Sequence, residues 1–343
     1  MLFGHGDDFY NAPVEITSNY SSNVWRGVNL EKLKQHLELQ LDKISLYPEP
    51  DASSLRKLLA RRNEISEDNV IFCNGSVDAI YLIAMAWRGS RSLVAIPTFT
   101  EYEDACKLHD HEVDFCFYDD LAELPFEHID ICWLSNPNAA NGKMLKRNEL
   151  LKLIAAHPEV KFVVDQSNLS FTIEDGLKHS DIKNHPNLIL IYSLSKPYGI
   201  PGLRAGYLVA REEFVSHINR YKIPWSVNTL AIEASKYVLI HPAQFTLPIR
   251  KWLRETSEFI YQLSKLDNVE VEHSVTTYFL IYLKKGTAGA LKQFMLEQGV
   301  LIRDASNIRG LDETAVRLCT QSTEQNLKFV ELLSQWLNDQ GTE

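Results

Sequence analysis

The sequence predicts an α/β protein, with a large domain built on a mostly parallel sheet flanked by helices and a smaller α+β domain at the C-terminal end. Between residues 69 and 210, short apolar runs alternate with amphipathic stretches, the pattern of strands joined by crossover helices. The residues best suited to chemistry fall just after those apolar runs, where open α/β sheets gather their ligands. From about residue 240 the pattern changes to longer amphipathic stretches separated by isolated strand-like runs, as a second domain requires.

Residues 1–30 are polar, aromatic and rich in Gly, Asn and Ser, and read as an extended arm rather than a packed element. Helical periodicity covers Leu30 to Leu41, is broken by Tyr47-Pro48-Glu49-Pro50, and resumes over Ser53 to Asn63. The large domain spans 31–235, its first helix also contributing to the small domain. Its strands are expected at 69–73, 92–96, 113–117, 129–134, 160–164, 188–192 and 207–210. Helices are expected from about Ala79, Tyr102, Lys146, Glu212 and Thr229. The small domain, 240–343, is expected to hold helices over 248–266 and 288–299 and strands over 269–271 and 278–283. Leu327, Val330, Leu333 and Leu337 at helical spacing mark a last amphipathic helix.

With 343 residues the chain is long enough for two domains and a large core. A formal net charge of -10 argues against a nucleic-acid partner, because a phosphate backbone demands a basic face. Cys73, Cys106, Cys116, Cys132 and Cys319 show no C-x-x-C pairing and lie mostly in apolar runs, so they read as reduced thiols rather than disulfides or a metal site. The polar opening lacks an apolar signal region, and no apolar run reaches membrane-spanning length. A cytoplasmic protein without a membrane partner is expected.

The chemistry centres on Ser193-Leu194-Ser195-Lys196-Pro197-Tyr198-Gly199-Ile200-Pro201-Gly202-Leu203-Arg204-Ala205-Gly206-Tyr207, which leaves one apolar strand and enters another. Burial and nearby cations favour the neutral, nucleophilic form of a lysine, as Schiff-base chemistry with a carbonyl requires. Ser193, Ser195 and Arg204 are donors of the kind that hold a phosphate. Asn74-Gly75-Ser76-Val77 opens a helix after a strand, where free backbone N–H groups make an anion site. Asp165 ends a buried strand, where a carboxylate needs a partner.

The lysine stretch closely resembles the S-x-S-K-x-x-G-x-x-G-x-R-x-G motif of the pyridoxal-phosphate-dependent class I/II aminotransferase family, fold type I. The resemblance implies a Schiff base between Lys196 and pyridoxal 5'-phosphate, with the cofactor phosphate held by Gly75, Ser76, Val77, Ser193, Ser195 and Arg204. It implies that Phe99 stacks on the pyridine ring and that Asp165 keeps the ring nitrogen protonated. The chain departs from the family at two places. Ala139 stands in Asn136-Pro137-Asn138-Ala139-Ala140-Asn141-Gly142 where an asparagine usually meets the cofactor's phenolic oxygen, and Asn168 stands in Asp165-Gln166-Ser167-Asn168 where a tyrosine usually shares that contact. The expectation is that Asn168, alone or with Asn138 or a water, holds that oxygen.

Within the family, the branch of threonine-phosphate decarboxylase and histidinol-phosphate aminotransferase is the most similar. The first belongs to cobalamin side-chain biosynthesis and the second to amino acid biosynthesis. Tyr47-Pro48-Glu49-Pro50 resembles a motif of both, whose tyrosine reaches the cofactor phosphate of a partner subunit; this implies a homodimer with sites at the interface. Gly4-His5-Gly6-Asp7 and Ser21-Ser22-Asn23 resemble segments of the decarboxylase, pointing to His5 and Asn23 as substrate contacts. Arg303 and Arg317, each among apolar neighbours, correspond to positions that grip substrate anions. A phosphorylated amino acid or amino alcohol is the expected substrate, with decarboxylation preferred and transamination as the alternative. A non-catalytic ligand-binding module of the same fold is the outside reading.

Overall fold

Apolar runs with few polar interruptions become strands that are covered on both faces. In the computed structural model, which describes residues 5–10, 12 and 14–339, that holds for the central strands of the large sheet; the strands in chain order are β1 (Ser18–Asn19), β2 (Val70–Cys73), β3 (Arg91–Ile96), β4 (Glu112–Phe117), β5 (Ile131–Ser135), β6 (Lys161–Asp165), β7 (Leu188–Ser193), β8 (Gly206–Val209), β9 (Val269–Val271), β10 (Tyr278–Leu283), β11 (Val300–Leu301), β12 (Arg303–Asp304) and β13 (Ala315–Cys319). The α-helices are α1 (Glu31–Glu38), α2 (Ser53–Asn63), α3 (Ser76–Ala86), α4 (Glu101–Leu108), α5 (Arg147–Ala156), α6 (Glu212–Asn219), α7 (Thr229–Ile240), α8 (Ile249–Leu263), α9 (Ala288–Glu297) and α10 (Thr323–Asp339).

The large sheet has the order β2-β8-β7-β6-β5-β3-β4. Strands β7, β6, β5, β3 and β4 run parallel, while β8 is antiparallel to both β2 and β7. Successive side chains feed opposite cores, as the two-residue period of a strand dictates. Phe162, Val164, Leu188 and Leu190 join one hydrophobic core, and Val163, Ile189 and Ile191 join the other. Ser135 of β5 and Ile191 of β7 flank Asp165 in register. The carboxyl end of the parallel strands therefore presents Asp165 at the centre of the sheet.

The smaller sheet is antiparallel, in the order β12-β13-β10-β9. Its core gathers Phe259, Phe279, Phe329 and Trp336 from α8, β10 and α10. Among the described residues, no helix is long and apolar enough to cross a membrane.

The N-terminal segment corrects the expectation of a loose arm. Strand β1 pairs in parallel with β11, and Tyr20, 0% exposed, packs between Phe259 and Phe329 at ring distances of 5.9 and 4.8 Å. Its backbone joins two strands, donating to Leu301 O at 2.8 Å and accepting from Cys319 N at 2.9 Å. A two-residue strand has no periodicity to read, and its partners lie near the far end of the chain. Gly4 of the opening motif lies outside the described residues.

Helix α3 begins at Ser76, earlier than the apolar pattern suggests, because Gly75 turns the chain at φ +92° and the Asp78 carboxylate accepts from Asn74 N at 2.8 Å. The extra turn brings Ser76 and Val77 to the sheet's carboxyl end.

The Tyr20 hydroxyl is buried without a partner among the described residues. Tyr20→Phe should therefore leave stability unchanged or raise it by about 1 kcal/mol, whereas Tyr20→Ala should cost about 3–5 kcal/mol through the cavity it opens. Urea midpoints with a common slope check this; a Phe variant as damaged as the Ala variant would contradict the packing described.

Candidate active site

The chain after β7 must turn back at once into β8, and this excursion carries Lys196. The strand partner of Ser193 is Gly206, where a Cβ would lie 2.5 Å from the backbone nitrogen of Ser76. A Cβ on Gly75 would lie 2.3 Å from the Arg204 guanidinium. Only glycine permits this approach, and it draws the α3 N-terminus, the serines and Arg204 into one cradle. Arg204 itself adopts a left-handed backbone conformation, φ +59°, which a non-glycine residue holds only when its surroundings impose it.

A cavity of about 500 Å³ opens above this cradle. Its walls hold Lys196, Ser76, Val77, Phe99, Asp165, Asn168, Ser193, Ser195, Arg204, Arg303, Arg317, His5 and Asn23. Residues separated by most of the chain length are thus brought together. Gly75 lies directly behind Ser76. A larger cleft of about 780 Å³ lies across Val24, between the N-terminal segment and Trp252, and contains none of these residues.

Lys196 Nζ donates to Asn168 Oδ1 at 2.9 Å. Burial pushes its pKa down to about 8, Arg317 adds to the fall, and the Asp165 carboxylate opposes it. A substantial fraction of the amine is therefore neutral and nucleophilic near pH 8. Asp165 is anchored by the Tyr102 hydroxyl, which donates to Oδ2 at 2.9 Å, and by Ser167 N, which donates to Oδ1 at 2.7 Å. Burial and the adjoining Asp165 hold the Tyr102 hydroxyl far above its usual range, so it remains a donor. Phe99 contacts Tyr102 edge-on and His5 obliquely, both at 5.9 Å.

Arg303 and Arg317 stand directly opposite each other in the β12–β13 register. Their bonds run to neutral oxygens: Arg303 to Asp304 O and to Asn307 Oδ1 at 2.7 Å, Arg317 to Ser21 O at 2.8 Å and to Ala139 O at 3.2 Å. Burial, reinforced by Arg317, pushes Arg303 down to about 10, and burial also lowers Arg317. Like charges directly across a sheet repel, so the pair is poised for an anion.

The N-terminal segment forms a lid. His5 meets Glu101 at 2.9 Å, and Tyr81 donates to the same carboxylate at 2.7 Å. Burial raises the Glu101 pKa, but the bonds from His5 and Tyr81 outweigh it and leave the group lowered. Trp25 N donates to Lys196 O at 3.0 Å, tying the segment to the lysine loop. Arg309 grips Glu103 of α4 through two bonds, at 2.8 and 2.7 Å, and closes the side near Ile308. Tyr102, Glu101, Tyr81 and Ser167 were not foreseen; the acidic and aromatic start of α4 directly after Phe99 was the available signal.

Two expected residues stand elsewhere. Asn138 is fully buried, its Nδ2 donating to Pro97 O and its Oδ1 accepting from Ala140 N, both at 2.8 Å. It braces its loop and does not line the cavity, which removes it from the expected cofactor contacts. Tyr47 is 87% exposed beside Trp225 and does not reach this chain's cavity.

The pattern of the aminotransferase class I and II family matches residues 17–333. The chain belongs to that family. This class I/II enzyme is 51% identical to the chain in a crystal structure of L-threonine-O-3-phosphate decarboxylase from Porphyromonas gingivalis, with a TM-score of 0.92 over 94% of this chain and 99% of that one. It is 30% identical to histidinol-phosphate aminotransferase of Thermoanaerobacter pseudethanolicus, over 82% of each chain. It is 28% identical to threonine-phosphate decarboxylase of Salmonella typhimurium, over 88% of this chain and 86% of the relative. The family depends on pyridoxal phosphate, and the donor set fits that group: an amine for its aldehyde, a carboxylate for its ring nitrogen and a cradle for its phosphate. Asn23 Oδ1, Ser167 Oγ and Arg317 Nε are buried without partners among the described residues, as expected of a site shaped for ligands.

Proposed function

We propose that this class I/II enzyme decarboxylates a phosphorylated α-amino acid of the threonine-phosphate type. The observation that carries this reading is the facing pair of buried Arg303 and half-buried Arg317, neither paired with a carboxylate among the described residues. A substrate with both a phosphate and a carboxylate supplies an anion for each guanidinium. Histidinol phosphate carries no carboxylate and satisfies one. The relative at 51% identity supports the same choice.

In this reading Ser76, Val77, Ser193, Ser195 and Arg204 hold the cofactor phosphate, Gly75 lets the helix start approach it, Phe99 packs on the ring and Asp165 holds the ring nitrogen. When bound, pyridoxal phosphate supplies an aldehyde for amine exchange and a cationic ring that withdraws electrons from the substrate's α-carbon. The chain does the rest. Arg303 and Arg317 fix the substrate anions and so choose which bond at the α-carbon stands perpendicular to the ring. His5 and Asn23 cap the cavity from the N-terminal segment, and closing it excludes water from the bond being broken. Lys196, with a pKa near 8, both carries and releases a proton at working pH.

The deciding assay incubates the holoenzyme with O-phospho-L-threonine, or with histidinol phosphate plus 2-oxoglutarate, and follows carbon dioxide and glutamate. Carbon dioxide from the first is expected, and Lys196→Ala should abolish it together with the visible cofactor band. Glutamate without carbon dioxide would transfer the proposal to transamination.

A homodimer belongs to the same proposal. Tyr47, Leu46 and Ile44 are exposed on one stretch with Trp225 nearby, an apolar surface suited to a second copy of the chain. Tyr47 then reaches the partner's cofactor phosphate. The five buried free cysteines suit a reducing cytoplasm. Mixing Lys196→Ala chains with Tyr47→Ala chains should restore about a quarter of wild-type activity, the share expected of one intact site per heterodimer in a random mixture; verified heterodimers without activity would exclude shared sites.

A further inference from the structure

We infer that Asn168 is the positioning residue for Lys196, its carbonyl orienting the amine and its Nδ2 donating to the ligand oxygen nearest the lysine. The inference rests on pyridoxal phosphate as the ligand of Lys196 and concerns what this chain does with it.

Lys196 Nζ has its hydrogen bond with Asn168 Oδ1, at 2.9 Å. An ammonium or amine N–H needs an acceptor, so the amide oxygen must face it, and the amide orientation is thereby fixed. Holding one N–H of the neutral amine restricts where the lone pair points, which is a requirement for attack on an aldehyde carbon. The acceptor is uncharged. It orients the amine without stabilising the ammonium as a carboxylate would.

Asn168 is 2% exposed and lines the cavity, and its Nδ2 bonds to none of the described residues. Nδ2 is not one of the fully buried atoms left without a partner, so it opens onto the cavity, where a ligand oxygen can accept from it. The competing groups beside it are already engaged. Asn138 is bound to Pro97 and Ala140, Ala139 N donates to Ser135 Oγ at 2.8 Å, Ala139 O accepts from Arg317, and the Tyr102 hydroxyl donates to Asp165. The phenolic oxygen that pyridoxal phosphate carries beside its aldehyde is the natural acceptor for the remaining N–H. One amide then holds both partners of the reaction, the amine through oxygen and the aldehyde-bearing ring through nitrogen. The ionisable groups acting on the amine are Asp165 at the end of β6 and Arg317 and Cys319 on β13; none of them replaces this contact.

The test measures capture of pyridoxal phosphate by cofactor-free protein, followed by the visible band, between about pH 6.5 and 9.5, roughly one and a half units either side of the lysine midpoint. For wild type, the capture rate should rise with pH through a midpoint near 8, as the amine loses its proton. Asn168→Asp places a carboxylate on the amine and should raise that midpoint by about one unit or more. Asn168→Ala should leave the midpoint within about half a unit but lower the plateau rate roughly tenfold, and should shift the pH titration of the holoenzyme's band. Near-ultraviolet circular dichroism and urea midpoints establish that both variants fold, and Asn168→Ser replaces any that does not. Midpoints and plateaus equal to wild type in both variants would overturn the inference. Failure of wild type itself to capture pyridoxal phosphate would instead overturn the cofactor assignment on which the inference rests.

Discussion

Two arginines set directly opposite each other across a strand pair, in a protein of net charge -10, are the constraint on which the rest of this site depends. Holding such a pair without a carboxylate partner among the described residues is costly, and the folded chain offsets the cost with neutral oxygens from the adjoining loop and from two distant segments. Arg317 alone joins Ser21 of the N-terminal segment to Ala139 of the loop after β5. The residue proposed to hold a substrate anion is therefore also the one that fastens the N-terminal segment to the large sheet. Its charge reaches Lys196 as well, reinforcing the effect of burial on that amine. Arg317 thus links the N-terminal segment, the loop after β5 and, as a lesser influence beside burial, the lysine.

The large sheet supplies the counterweight. Parallel strands end together, so Asp165 on β6, Ser193 on β7 and the loop carrying Lys196 arrive at the same edge without any helix having to bend. Asp165 restrains the lysine's fall in pKa, while Tyr102 and Ser167 N keep the carboxylate aimed and hydrogen-bonded. The small sheet brings the arginines, and Tyr20, wedged between Phe259 and Phe329, fixes the strand that leads into Ser21 and Asn23. Packing of the second core thus decides where the lid lies over the first.

Much of this was legible in the sequence wherever the signal was local. The central strands of the large sheet are nearly continuous apolar runs, and the Lys196 stretch carries its glycines and arginine in one contiguous motif. What escaped was non-local. Strand β1 is two residues long and finds its partner near residue 300, so no periodicity announces it. Tyr102 looked like the first residue of a helix, and its hydroxyl acquires a role only because β3 and β6 place α4 beside Asp165. Asn138 reads as a cofactor donor because it is an asparagine in a cofactor loop, and sequence does not reveal that its side chain turns to Pro97 O and away from the cavity lining. Arg303 and Arg317 were each visible as arginines among apolar neighbours, but their direct opposition is a matter of strand register.

The most direct measurement of the central claim is the affinity of O-phospho-L-threonine for Lys196→Ala protein saturated with pyridoxal phosphate, where binding is separated from turnover. Calorimetry should show Arg303→Gln and Arg317→Gln each weakening binding roughly 10- to 100-fold, the range expected when a charge-assisted bond is lost. Unphosphorylated threonine, with one anion fewer, should be sensitive to only one of the two changes. Affinities within about twofold of the parent protein in both variants would contradict the account, because the facing guanidiniums would then have no anion to hold.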